Sequence, residues 1–189
     1  MPAILDKPFI FLDIDGVLNG NTYVVANRCG LYTSDDTEWF DPVNVALLNR
    51  ITEATGAVLV LSTSWVNMFR RPYFEDLLPK VGIKAPIFEV TDRYAPGRVE
   101  RIDQWLDAWA PTVPWIVLDD CITVAKYAPR AIITDTRTGL TELDAQKAIT
   151  LLQEAPTCTV KFTNSRLGEM RFSDGKATRC PPNSEIVNS

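Results

Sequence analysis

The chain has 189 residues, 46% hydrophobic and 23% charged, which suits one domain with a proper core and excludes a disordered or fibrous protein. Its net charge of −5 is uneven, with eight acids against three bases in residues 1–60 and three acids against five bases in residues 156–189. Such a balance argues against coating nucleic acid through bulk charge, and acids gathered at a phosphate site call for a cation.

Pro8 to Leu12 is a short apolar run that stops at Asp13, the pattern of a buried strand. The segment from Gly20 to Phe40 has 21 residues, too few for an inserted domain. It is expected to form a flap, with Thr22–Ala26 and Leu31–Thr33 as a hairpin around Asn27–Gly30 and Tyr23, Tyr32 or Trp39 as a movable rim. Asp41-Pro42, a capping residue followed by proline, opens a helix that closes near Gly56, with Val43, Leu47, Leu48, Ile51 and Ala54 as its apolar face. Ala57 to Leu61 is a second strand ending in Ser62-Thr63-Ser64-Trp65. A short helix over Pro72–Pro79 and a third strand over Pro86–Val90 follow. Arg98–Ala110 forms a helix with Ile102, Trp105, Leu106 and Trp109 on one face. Trp115–Leu118 is a fourth strand ending at Asp119-Asp120, and Ala131–Thr134 a fifth. A last helix starts at Thr141, where a threonine cap and the first-turn acids Glu142 and Asp144 mark it, and runs through Leu152.

Strands that alternate with helices and are nearly continuous in apolar residues specify a doubly wound α/β parallel sheet covered on both faces. Ligands gather outside the carboxyl ends of such strands, so Asp13, Ser62 and Asp119 should converge on one rim. Residues 1–155 would make this core. Residues 156–189 differ in character: Thr157–Phe162 and Glu169–Phe172 are expected to pair as a hairpin, and the end from Pro181 to fray.

The chain has no histidine, so acid–base chemistry must come from carboxylates, Lys, Tyr or Cys. Cys29, Cys121, Cys158 and Cys180 lack C-x-x-C spacing, no leader-like segment opens the chain, and no apolar run approaches the ~20 residues of a membrane helix. A cytoplasmic protein with reduced thiols is expected. Asp13-Ile14-Asp15-Gly16 puts two carboxylates at a strand end where glycine lets the chain turn. One can attack phosphorus while the other handles the leaving-group proton. Two close anions facing an anionic substrate need a hard divalent cation, by default Mg2+.

The run Phe11-Leu12-Asp13-Ile14-Asp15-Gly16-Val17-Leu18-Asn19, with the later strands ending in Ser62 and Asp119-Asp120, resembles the haloacid dehalogenase superfamily of aspartate-nucleophile phosphatases over residues 8 to about 154. The resemblance implies that Asp13 attacks phosphorus, that Asp15 protonates the leaving group and then activates water, and that the Asp15 carbonyl helps hold the metal. It implies that Ser62 binds the phosphoryl oxygens, that Asp120 is a metal ligand supported by Asp119, and that a cation neutralises the phosphoaspartate. Arg93, Arg98 and Arg101 all lie near that cation's place. Arg98 is preferred, the others being taken as solvated. Gly16, Thr63, Ser64 and Trp65 would line the substrate, with Trp65 either stacking on a base or belonging to the core. Leu59–Trp65, Val117–Asp120 and Thr138–Thr141 resemble a bacterial and phage subfamily, some of it associated with RNA repair. Capless, the site would admit a nucleotide or polynucleotide end. Two other readings use the same elements: a receiver-like phosphoacceptor that is labelled once, and a catalytically silent binding protein on this fold. Dehalogenation has no need of Asp15.

Overall fold

The computed structural model describes residues 6–28 and 35–154, with the backbone of 170–173 and 176–179. Strands β1 (Phe9–Leu12), β2 (Val58–Leu61), β3 (Ile87–Val90), β4 (Trp115–Asp119) and β5 (Ala131–Ile133) form one parallel sheet in the order β3-β2-β1-β4-β5. The expected doubly wound α/β sheet is therefore present. The strand order reverses beside β1, between it and β4, and the crevice at such a reversal is where open α/β sheets bind ligands. Register then brings the chemistry together. Leu12 pairs with Leu61 and with Leu118, while Asp13 N–H donates to the Leu118 carbonyl at 3.0 Å and Ser62 N–H to the Leu12 carbonyl at 2.9 Å. Asp13 thus lies between Ser62 and Asp119.

Alternate side chains of the central strands feed two cores. Ile10, Leu12, Leu59, Leu61, Ile116 and Leu118 face helices α2 (Pro42–Thr55), α3 (Arg71–Lys80) and α5 (Glu142–Gln153). Phe9, Phe11, Val58, Val60 and Val117 face α4 (Arg98–Trp109), where Trp105 meets Phe9 and Phe11 edge-on at 5.2 and 5.1 Å. Asp41 caps α2 by accepting from Val43 N–H at 2.8 Å. Thr141 and Asp144 complete a capping box on α5, as the residue types at those positions predict.

Two local expectations fail. The flap expected to begin at Thr22 is instead helix α1 (Asn21–Arg28). Its first N–H groups find partners on the loop after β5, Asn21 on the Thr136 carbonyl at 2.9 Å and Thr22 on the Arg137 carbonyl at 3.0 Å, so tertiary bonds override the β preference of Thr22, Val24 and Val25. The other expected flap strand, Leu31–Thr33, lies outside the described residues. On α2 the buried face is turned: Val43 is 65% exposed, whereas Asn44 and Asn49 are buried beside Val45, Leu48 and Ile51. Those amides are bonded to backbone, Asn44 to the Thr138 carbonyl at 3.2 Å and Asn49 to the Gly82 carbonyl at 2.8 Å, which removes the penalty for burying them. By itself, the unit of residues 156–189 contains an antiparallel pair, β6 (Met170–Ser173) with β7 (Lys176–Arg179). A strand near the expected Glu169–Phe172 is therefore present and pairs with β7, while its expected partner Thr157–Phe162 lies outside the described residues.

Candidate active site

Four strand ends and two loops build the site. Asp13 is buried at the end of β1, Oδ1 accepting from Ile14 N–H at 2.8 Å and Oδ2 paired with the Arg98 guanidinium at 2.7 Å. Asp119, fully buried at the end of β4, meets the same guanidinium nitrogen at 2.7 Å, and its Oδ1 accepts from Cys121 N–H at 2.9 Å. Arg98 also donates to the Ser62 carbonyl. Among the three arginines near the expected place, Arg98 is the one that reaches the carboxylates. Arg93 donates to the Asn67 carbonyl. Arg101 is buried, donating to Asn67 Oδ1 at 2.7 Å and to the Thr63 carbonyl at 3.3 Å, so the expectation that it is solvated is corrected, while Arg93 keeps an exposed bond to the same loop after β2.

One guanidinium cannot neutralise two buried carboxylates. Burial raises the Asp13 pKa against the lowering effects of Arg98 and the Ile14 N–H. Burial and then the Asp13 charge push Asp119 up to about 7. Burial disfavours the Arg98 cation, but the Asp13 and Asp119 charges outweigh that and raise its pKa. Asp120 adds a third carboxylate, and oxygens of Asp13, Asp119 and Asp120 lie within 4.8 Å of one another. The cluster is short of positive charge.

Asp15 occupies a different environment. Gly16 takes φ +73°, a left-handed turn open to glycine at little cost, and the turn carries the Asp15 side chain out to an exposed position. There Oδ2 accepts from Trp65 Nε1 at 2.9 Å and Oδ1 from Asn19 Nδ2 at 3.0 Å, with Ser64 Oγ at a long 3.4 Å. The Asp15 carboxylate is thus not part of the acidic cluster. Trp65 belongs to the core, 8% exposed, while its indole N–H serves Asp15. Thr63 caps the 3-10 turn Ser64–Asn67, its Oγ1 accepting from Trp65 N–H at 3.3 Å. Ser62 Oγ is buried with no hydrogen-bond partner among the described residues, which is costly unless a ligand completes it.

The loop after β5 contributes residues that sequence reasoning missed. Thr134 Oγ1 donates to the Gly16 carbonyl at 2.7 Å, and Thr136 Oγ1 to Asp120 Oδ2 at 2.8 Å. The available signal was that β5, like its neighbours, ends in polar residues. Close packing also explains Gly16 a second time: a Cβ there would lie 2.2 Å from Asp120 Oδ2.

A central strand bearing a buried aspartate, flanked by an acidic strand end and crossed by one arginine, makes this a domain of haloacid dehalogenase type. More particularly, residues 9–145 match the family described as the HAD domain in Swiss Army Knife RNA repair proteins, and the chain belongs to that family. A hydrolase of haloacid dehalogenase type is the activity class that this membership suggests, and the family generally uses Mg2+. No curated protein and no solved structure matches the chain. Among the described residues no helix is long and apolar enough to cross a membrane, and Cys121 is a free thiol.

Proposed function

We propose that the chain is a Mg2+-dependent phosphomonoester hydrolase that works through an aspartyl phosphate on Asp13 and acts on nucleotides or nucleic-acid ends. The observation that carries this reading is the contrast between two carboxylates two residues apart. Asp13 is buried and held by Arg98 and a backbone N–H, whereas Asp15 is exposed and held by an indole and an amide. Such separation of environments divides labour between paired acids.

The donor set suits the ion. Asp13, Asp119 and Asp120, with the Asp15 carbonyl, offer hard oxygens with no histidine or paired cysteine, which favours Mg2+ over zinc. These residues would hold it, and the bound ion supplies charge neutralisation of the phosphoryl group. Asp13 Oδ attacks phosphorus, the bond to the leaving oxygen breaks, and Asp15 gives that oxygen its proton. The Asp15 carboxylate then takes a proton from water as the water oxygen attacks phosphorus. The Asp13–phosphorus bond breaks, leaving free phosphate, an Asp13 carboxylate and a protonated Asp15. Ser62 Oγ and the Arg98 guanidinium bind the phosphoryl oxygens meanwhile.

Phosphate release from nucleotides, sugar phosphates and 3′- or 5′-phosphorylated oligonucleotides, followed over many turnovers, tests the reading. Mg2+ should support turnover and excess chelator stop it. Asp13→Asn should abolish it, and Asp15→Asn reduce it by ~10²–10⁴-fold. Retention of more than a few per cent of the rate in Asp13→Asn would overturn the assignment. Labelling without release would replace it with the receiver-like reading.

A further inference from the structure

Beside Asp15 lies a groove of about 370 Å3 lined by Asp15, Asp36, Trp39, Trp65, Met68 and Phe69. Its walls carry three aromatic rings and a thioether, with Met68 68% exposed and so accessible to a ligand. The groove is also braced. Phe69 stacks on Tyr73 at 3.8 Å and 8°, and the Tyr73 hydroxyl donates to Asp36, so a wall ring and a wall carboxylate are fixed through one residue.

We propose that this groove holds the base of a nucleotide substrate, a flat heteroaromatic ring that presents N–H donors to Asp36 while the phosphate lies at Asp13. The inference rests on the phosphohydrolase reading, in which Asp15 faces the leaving group and a groove that includes Asp15 therefore receives it. Chemistry selects the occupant. Two carboxylates repel anionic groups, so the part of the substrate that enters is uncharged. Aromatic walls and a polarisable sulfur favour a ring over a hydroxyl-rich sugar. Asp36 can only accept hydrogen bonds when ionised, and a nucleobase amide or amine supplies donors that the ring of a phosphotyrosine lacks.

The test compares kcat/KM for guanosine 5′-monophosphate and its 3′ isomer with the matching ribose phosphates, using the full chain with Mg2+. The base should raise kcat/KM by roughly tenfold or more, within the range that stacking on aromatic side chains provides. Met68→Glu, at an exposed position that should tolerate it, and Trp39→Ala should each bring that ratio close to one, and Asp36→Asn should lower it. Equal values for nucleotide and ribose phosphate, a ratio unchanged in Met68→Glu, or a preference for a phosphotyrosine peptide would overturn the inference and leave the phosphohydrolase standing. If none of these phosphates is turned over, that reading fails first. The groove is then judged by guanosine alone, through quenching of tryptophan fluorescence. Saturable quenching that Met68→Glu weakens at least tenfold supports a base site, and no saturable quenching overturns it.

Discussion

Trp65 packs against Phe40 and Phe69 at ring separations of 6.0 and 6.1 Å, yet its indole N–H is committed to Asp15. A phenylalanine in its place keeps an aromatic ring in the core and removes only the donor. Trp65→Phe is therefore expected to lower kcat by roughly tenfold with KM little changed, because a misaligned acid slows the chemical step more than binding. An unchanged kcat would mean that Asn19 and Ser64 suffice to orient Asp15. Asp119 supports a prediction about stability. Its pKa is about 7 in the folded, metal-free protein, against about 3.9 in an unfolded chain. Below pH 4 both states carry the proton and the group costs nothing. Between pH 4 and 7 the unfolded state releases it while the folded state keeps it, so stability falls as pH rises and levels off above pH 7. Asp119→Asn escapes this loss. With chelator at pH 8 it should unfold at a temperature roughly 5 °C above wild type, from an effect on the order of 2 kcal/mol. The gap should close near pH 4, and Mg2+ should stabilise wild type preferentially. Thermal unfolding at the two pH values checks both, and a gap independent of pH would refute the account.

At the scale of elements, the turn after β1 and the loop after β5 act as one unit. Thr134 ties the Gly16 carbonyl, Leu140 N–H donates to the Val17 carbonyl at 2.9 Å, and Thr136 steadies Asp120. The turn's shape leaves no room for a side chain at Gly16, where φ is +73° and Asp120 is in contact. Gly16→Ala should cut turnover by ~10²-fold or more, as expected when reacting groups are displaced by about an ångström. It should also raise the Mg2+ concentration needed for half-maximal rate. Thr136→Val leaves the backbone alone and should give the Mg2+ effect by itself, severalfold, since a ligand that loses its own hydrogen-bond partner binds metal less well. Wild-type Mg2+ dependence in both variants would separate this loop from the metal site.

Across the whole of residues 6–154, neither connection that could carry an inserted domain does so among the described residues. Between β1 and α2 lie α1 and the 3-10 turn Asp36–Trp39, and between β2 and β3 the turn Ser64–Asn67 and α3. A second groove shares Phe69 with the aromatic one and is lined by Arg70, Arg71, Arg93 and Tyr94. Arg71 is engaged with Glu75 and the Ile87 and Phe88 carbonyls, and Arg93 with the Asn67 carbonyl, whereas exposed Arg70 makes no ion pair among the described residues. Binding of a phosphorylated oligonucleotide should accordingly weaken only gently with salt, with a logarithmic slope of about −1. Arg70→Ala should flatten it by roughly 0.7 and leave mononucleotide binding unaffected. A steep slope that persists in Arg70→Ala would point to a basic surface elsewhere.

What was legible in the sequence was what a few neighbouring residues decide. Apolar runs ending in Asp13, Ser62 and Asp119 announce buried parallel strands and one reactive rim, Asp41-Pro42 and Thr141 with Asp144 announce helix starts, and Asp13-x-Asp15-Gly16 announces paired acids on a turn. Tertiary structure decided the rest, because the partners lie far apart along the chain. Arg98 was separated from Arg93 and Arg101 by its contacts with Asp13, Asp119 and the Ser62 carbonyl. Asn44 and Asn49 could be buried because backbone carbonyls await them, and α1 could form where its residues favour a strand because the loop after β5 accepts its first N–H groups. Trp65 is both a core ring and a hydrogen-bond partner of Asp15, since burial concerns its ring and the hydrogen bond its N–H, a distinction of atoms within one side chain that no pattern of residue types can express.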